Sequence, residues 1–326
     1  MFDLISNCLE IIFVFLQGYC LQFFYGSFLE SRFRRKWHAN ALTIALYGVW
    51  KLGSGILWDT TGSAALLLKL LFTICVLAVL AIGLYRGFRR LTIFLVLAFI
   101  TVNEISFFLS YMLLQLGNRL FEIWNFLFTK GYFTAIDFYM FLIHATVLVL
   151  QTGTYAVFVM ILFLTLKRIV KNFREKEYAV HKTELLFLLA PNLIGLLICI
   201  LLRTTIEMAE NKAPRLLYDR YPLLTFIIPA ILVLSLLSIL CGVKLFQDMI
   251  DLSRERSSRI ILEKQISGMQ EHIEEMERIY SGIRSMKHDM KNTLSVVMQL
   301  AARNSQDQDL NAYLSELGKS MDQLEF

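Results

Sequence analysis

Seven apolar runs, each close to the length that crosses a bilayer, constrain this chain more than any other feature. They occupy 9–29, 40–57, 64–85, 91–116, 136–166, 184–202 and 222–246. A helix needs roughly 20 residues to cross about 30 Å of hydrocarbon. The runs are continuous rather than alternating, which disfavours strands, and helices satisfy their backbone hydrogen bonds internally. The fifth run exceeds one crossing, so a tilted or projecting helix is expected there. Composition agrees: 56% of the residues are hydrophobic and 18% charged, against about 45–50% and about 25% in soluble domains. An ordinary soluble enzyme and a disordered chain are both excluded.

Charge divides the chain near residue 246. Residues 1–246 hold 22 Lys+Arg and 13 Asp+Glu, and residues 247–326 hold 10 and 14. Within the first part the basic residues are not spread evenly. Thirteen fall in three alternate loops: Arg32, Arg34, Arg35 and Lys36; Arg86, Arg89 and Arg90; Lys167, Arg168, Lys171, Arg174, Lys176 and Lys182. The other three loops carry six: Arg119, Lys130, Arg203, Lys212, Arg215 and Arg220. The positive-inside rule therefore predicts a multi-pass cell-membrane protein with its N-terminus outside and its C-terminus in the cytoplasm. The first ten residues hold Asp3 and Glu10 and no Lys or Arg, so no cleavable signal peptide is expected. The five cysteines have no metal-ligand spacing, and neither a disulfide framework nor a metal site is expected.

Ionisable groups at membrane depth are costly and mark functional candidates. Glu104 and His144 are the most central; Lys69 is shallower and Glu10 lies near the outer face. Two readings stand side by side: a polar ligand pocket or relay joining Glu104 to His144, or interhelical hydrogen bonding and snorkelling. The outer loop at 117–135 contains Phe121, Trp124, Phe126, Phe128, Tyr132 and Phe133. These form either an apolar recognition lip or an interfacial aromatic belt. Pro191 and Pro229 have no counterpart in the first half, and no repeat is evident, which leaves a transporter without support.

After the last span the period changes. Leu262, Ile266, Met269, Ile273, Met276, Tyr280 and Ile283 follow a 4-3-4-3 spacing, which places one apolar stripe along a helix and predicts a coiled coil. Its polar face is acidic (Glu271, Glu274, Glu275 and Glu277), unlike that of a helix lying on a membrane. The seam fades over 247–259, which reads as a less regular connector. It continues through Met290, Leu294, Val297 and Ala301 to a polar break at 304–308, then resumes at Leu310, Leu314, Leu317, Met321 and Leu324. Two such helices and a turn make a hairpin, and two hairpins make a four-helix bundle, so a homodimer is expected.

On the first hairpin helix His288 is followed by Asp289 and, one turn on, Asn292, with Lys287 and Lys291 beside them. An exposed imidazole accepts a phosphoryl group through a ring nitrogen, a neighbouring carboxylate takes up its proton, and lysines offset phosphate charge. From spacing alone, a solvated histidine on a charged helix face explains the same residues.

The stretch from Ile279 to Asn292 resembles the phosphoacceptor box of membrane sensor histidine kinases of the GHKL class. It is most similar to the branch containing the peptide-pheromone receptors of accessory-gene-regulator type quorum sensing, with Arg284, His288, Asp289 and Asn292 on the R-x-x-x-H-D-x-x-N positions. The resemblance implies His288 as the phosphorylated residue, Asp289 as general base and Asn292 as a helper in phosphotransfer or dephosphorylation, with Arg284 and Lys291 in support. It implies a two-component kinase that senses an extracellular ligand, a peptide in that branch, and relays to a response regulator. Partners would be a second copy, the regulator, the ligand and membrane lipid, with no nucleic acid. A complete member continues into an ATP-binding domain that uses ATP and Mg. Only 38 residues follow His288 here, so this chain is expected to hold no cofactor and to be inactive as a kinase by itself.

The fold expected is an all-α membrane protein. It comprises a seven-helix transmembrane sensor over 1–246, a coiled-coil linker over 247–283 and a dimeric helical-hairpin phosphoacceptor domain over 284–326. The alternatives are a non-enzymatic membrane receptor or phosphotransfer scaffold and, behind it, a transporter.

Overall fold

The computed structural model describes residues 2–57, 63–132, 136–173, 182–212 and 223–303, with 312–313, 315–317 and 319 beyond them. The described residues form seven helices and one two-residue strand pair: α1 (Phe2–Phe28), β1 (Glu30–Ser31), α2 (Lys36–Leu57), α3 (Ser63–Leu84), β2 (Tyr85–Arg86), α4 (Arg89–Thr129), α5 (Ile136–Asn172), α6 (Lys182–Lys212) and α7 (Leu224–Arg303). Six of them, all but α2, are long and apolar enough to cross a membrane. α2 carries Trp37, His38, Asn40 and Lys51 in its 22 residues, which dilutes its apolar content. The protein is an all-α, multi-pass membrane protein in type.

The chain divides into two compact units, Met1–Ile250 and Asp251–Phe326. In the first, α4 is the central helix. Its span Arg89–Met112 is 72% buried, whereas the other spans reach 33% at most, and it packs on α5, α6, α3 and α1. The remaining helices turn apolar side chains outward, such as Leu68, Leu71, Val79 and Ile82 on α3. Such faces suit hydrocarbon as solvent rather than water.

Small residues and polar cross-links set the spacing between helices, as expected where lipid is as apolar as the helix surface. At Gly195 of α6 a methyl group would lie 2.7 Å from Ser235 Oγ of α7 and 3.0 Å from Thr101 Cγ2 of α4. Thr101 Oγ1 donates to the Asn192 carbonyl at 3.1 Å, tying α4 to α6 beside Pro191. Tyr47 of α2 donates to Gln17 of α1 at 3.1 Å, and Ser6 of α1 to Gln151 of α5 at 2.9 Å. β1 pairs antiparallel with β2, Glu30 opposite Arg86, and so joins the C-terminal ends of α1 and α3. Near the same ends Phe173 is fully buried, stacked on Phe246 of α7 at 5.7 Å and edge-on to Phe28 of α1 at 5.2 Å.

Two boundaries differ from the sequence reading. Residues 117–129 are not part of a loop, because α4 runs on to Thr129. No proline falls in that stretch, and the helix closes only at Gly131, whose φ of +79° lets the chain reverse. There the Gly131 N–H reaches the Phe128 carbonyl and the Tyr132 N–H the Leu127 carbonyl, the paired bonds that close a helix at a left-handed glycine. Likewise 247–259, read as a less regular connector because the seam fades there, is an uninterrupted part of α7. Loss of an apolar seam removes a packing partner without removing helix propensity.

In the second unit the apolar stripe of α7 is exposed, from 38% at Ile283 to 68% at Met269. Between Leu262 and Ile283 no described segment of the chain covers it. The polar break at 304–308 and most of the second hairpin helix lie outside the described residues, so the hairpin and its four-helix bundle belong to the proposal below.

Candidate functional site

The membrane unit and the helical unit each hold one group of chemically competent side chains. In the membrane unit two cavities of about 110 and about 570 Å³ abut at four shared residues, Lys51, Asn103, Glu104 and Arg203. α4 supplies Asn103 and Glu104 from its buried stretch, α2 supplies Lys51 and α6 supplies Arg203. Arg203 Nη2 donates to Glu104 Oε2 at 2.5 Å, and its guanidinium lies 5.7 Å from the ring centres of both Phe107 and Phe108. A charge at this depth is tolerated when paired and laid on aromatic faces, and Arg203 has both.

Glu104 is thus half of an ion pair, with Arg203 rather than His144 as its partner. His144 sits on α5 and donates from Nδ1 to its own helix's Met140 carbonyl at 2.7 Å, with its ring stacked on Phe2 of α1 at 5.4 Å. No hydrogen bond or ion pair joins it to Glu104, so the relay between those two residues is not formed. Arg203, read from the sequence as an outer-loop residue, lies inside α6 (Lys182–Lys212), because that helix extends beyond its apolar run. Lys51 escaped the sequence reading altogether, although a lysine within an apolar run is the same signal that marks Glu104.

The aromatic residues of 117–135 also separate. Phe121 lines the larger cavity, whereas Phe128 stacks on Tyr139 at 4.3 Å, and Phe126 and Tyr132 are exposed. Phe133 lies outside the described residues.

On α7 the helix repeat brings His288 and Asn292 together, four residues and one turn apart. Asn292 Nδ2 lies 3.2 Å from His288 Nδ1, and Asp289 Oδ1 lies 3.6 Å from the same nitrogen. The imidazole is 73% exposed, so its Nε2 edge is open to a reactant. Arg284, Lys287 and Lys291 line the same open groove as His288. Asp289 also faces the adjoining groove, which Met286, Met290 and Leu317 line. Among the described residues no group of three His, Cys, Asp or Glu side chains is placed to hold a metal.

Comparison of the chain with known protein families, curated proteins and solved structures finds no match in any of the three.

Proposed function

We propose that this chain is the sensor and phosphoacceptor portion of a membrane sensor histidine kinase of the GHKL class. It takes a signal from outside the cell and relays it through phosphate on His288 to a response regulator. The observation that carries the reading is the exposed His288–Asp289–Asn292 constellation, with the Asn292 amide and the Asp289 carboxylate both beside Nδ1. With the Nδ1 proton turned toward the Asp289 carboxylate, Nε2 keeps its lone pair and attacks an incoming phosphorus. Asp289 then stabilises the positive charge that builds on the ring. A donation from the Asn292 amide to Nδ1 favours the opposite tautomer, with the proton on Nε2, so Asn292 is placed to modulate the reaction. Arg284, Lys287 and Lys291 draw phosphate oxygens to the groove.

The exposed stripe on α7 supports a parallel homodimer, since a second copy supplies an identical stripe at the same height. Loop charge supports an N-terminus outside the cell, which puts His288 in the cytoplasm with its regulator. In this reading phosphate reaches His288 from ATP and Mg held by an ATP-binding domain. Incubating the purified chain with such a domain and labelled ATP tests it. The label is expected on the wild type and absent from His288→Ala; label that survives the substitution refutes the assignment.

A further inference from the structure

The larger cavity has the size of a small-molecule site, for which about 300–1,000 Å³ is usual, and the proposed function leaves its occupant open. Half of its lining residues are aromatic or aliphatic, including Phe13, Phe107, Tyr155 and Phe158. The smaller cavity mixes apolar walls with a cluster of charged side chains. Lys51, Lys69 and Arg203 line it together with Glu104. Arg203 and Glu104 neutralise one another. Neither the Lys51 nor the Lys69 side-chain nitrogen forms a hydrogen bond or ion pair with a described residue, so two amines face about 110 Å³ of space, enough for one carboxylate. Between the cavities stands Asn103, only 8% exposed, with an Oδ1 that has no donor. A buried acceptor without a donor is costly, and a ligand N–H satisfies it.

We propose that the paired cavities bind an α-amido carboxylate, the C-terminal residue of an apolar peptide or an N-acylated amino acid. Its carboxylate lies between Lys51 and Lys69. Its amide N–H donates to Asn103 Oδ1, and its apolar body fills the larger cavity. A simple fatty acid offers the charge and the apolar body but no N–H for Asn103. Glu10, on the wall of the larger cavity, leaves room for a cationic group on the body. The identification of this site as the signal input rests on the sensor reading above and on its orientation. In that orientation Lys51, Lys69 and Arg203 all fall in the outer thirds of their helices.

The test uses the full chain in lipid nanodiscs and N-dansyl-phenylalanine, whose fluorescence rises when it leaves water. Saturable enhancement is expected, with affinity reduced about tenfold or more by Lys51→Met combined with Lys69→Met. The conservative Lys51→Arg is expected to retain most of it. Asn103→Leu is expected to weaken N-dansyl-phenylalanine and leave displacement by dodecanoate unchanged. Competition on the wild type alone gives a readout free of folding defects: N-acetyl-Leu-Phe displaces the probe and its C-terminal amide does not. Equal displacement by the amide, or no saturable enhancement, overturns the site. Adding the acid to the His288 labelling reaction separates the two readings. Binding without a change in label leaves the site standing and removes its role as input; His288 label without binding overturns the site and leaves the phosphoacceptor reading standing.

Discussion

At the scale of single residues, the decisive features are which charges find partners. Glu104 and Arg203 are 99 positions apart, and nothing local announces the pairing. The sequence shows a carboxylate in a span and an arginine past a span's end; only the packing of α4 against α6 brings them into contact. His288 and Asn292 are the opposite case. Their approach follows from the helix repeat, so it was legible from their spacing alone. A double-substitution cycle checks the membrane pair. Glu104→Gln and Arg203→Met each leave one partner without its counter-charge, and the double variant is expected to be less damaging than the sum. The coupling, read from denaturant unfolding in detergent, should be about 1–3 kcal/mol. Additive effects would mean that the pair contributes nothing.

At the scale of elements, the apolar runs located the spans, while the ends of the helices followed other rules. α4 passes through a stretch read as a loop because its stop signal is Gly131 rather than the polarity of its residues. α6 passes beyond its apolar run and thereby draws Arg203 to Glu104. Close approach is equally hidden: Gly195 looks like any glycine until α7 and α4 are set against it. Gly195→Ala must displace Ser235 or Thr101, and a loss of about 1–3 kcal/mol is expected in the same unfolding assay. Phe173→Ala removes the ring against which Phe246 and Phe28 pack. A cost of about 3–5 kcal/mol is expected, and a shift near zero would show that this cluster does not hold α7 to the bundle.

At the scale of the whole molecule, one chain divides into a unit suited to hydrocarbon and a helical unit with an unmatched apolar stripe. The stripe was legible as a 4-3-4-3 spacing, and its exposure from Leu262 to Ile283 shows that no described part of the chain covers it there. A parallel dimer brings Met269 of each copy to the seam. Met269→Cys is therefore expected to cross-link spontaneously on mild oxidation in membranes, whereas Glu274→Cys, on the outer face, should not. Equal cross-linking at both positions contradicts the dimer seam.

The central claim, that His288 is a built phosphoacceptor rather than a solvated histidine, has an internal control on the same helix. His272 is also exposed, at 84%, and has Glu275 at 4.0 Å. One turn on from it stands Met276, however, so no amide meets its ring as Asn292 meets that of His288. Exposing the membrane-embedded chain to phosphoramidate and locating phosphate by mass spectrometry at neutral pH compares the two directly. Phosphate on His288 at least about tenfold above His272 is predicted, falling toward the His272 level in Asp289→Asn. Equal labelling of His272 and His288 would contradict the account.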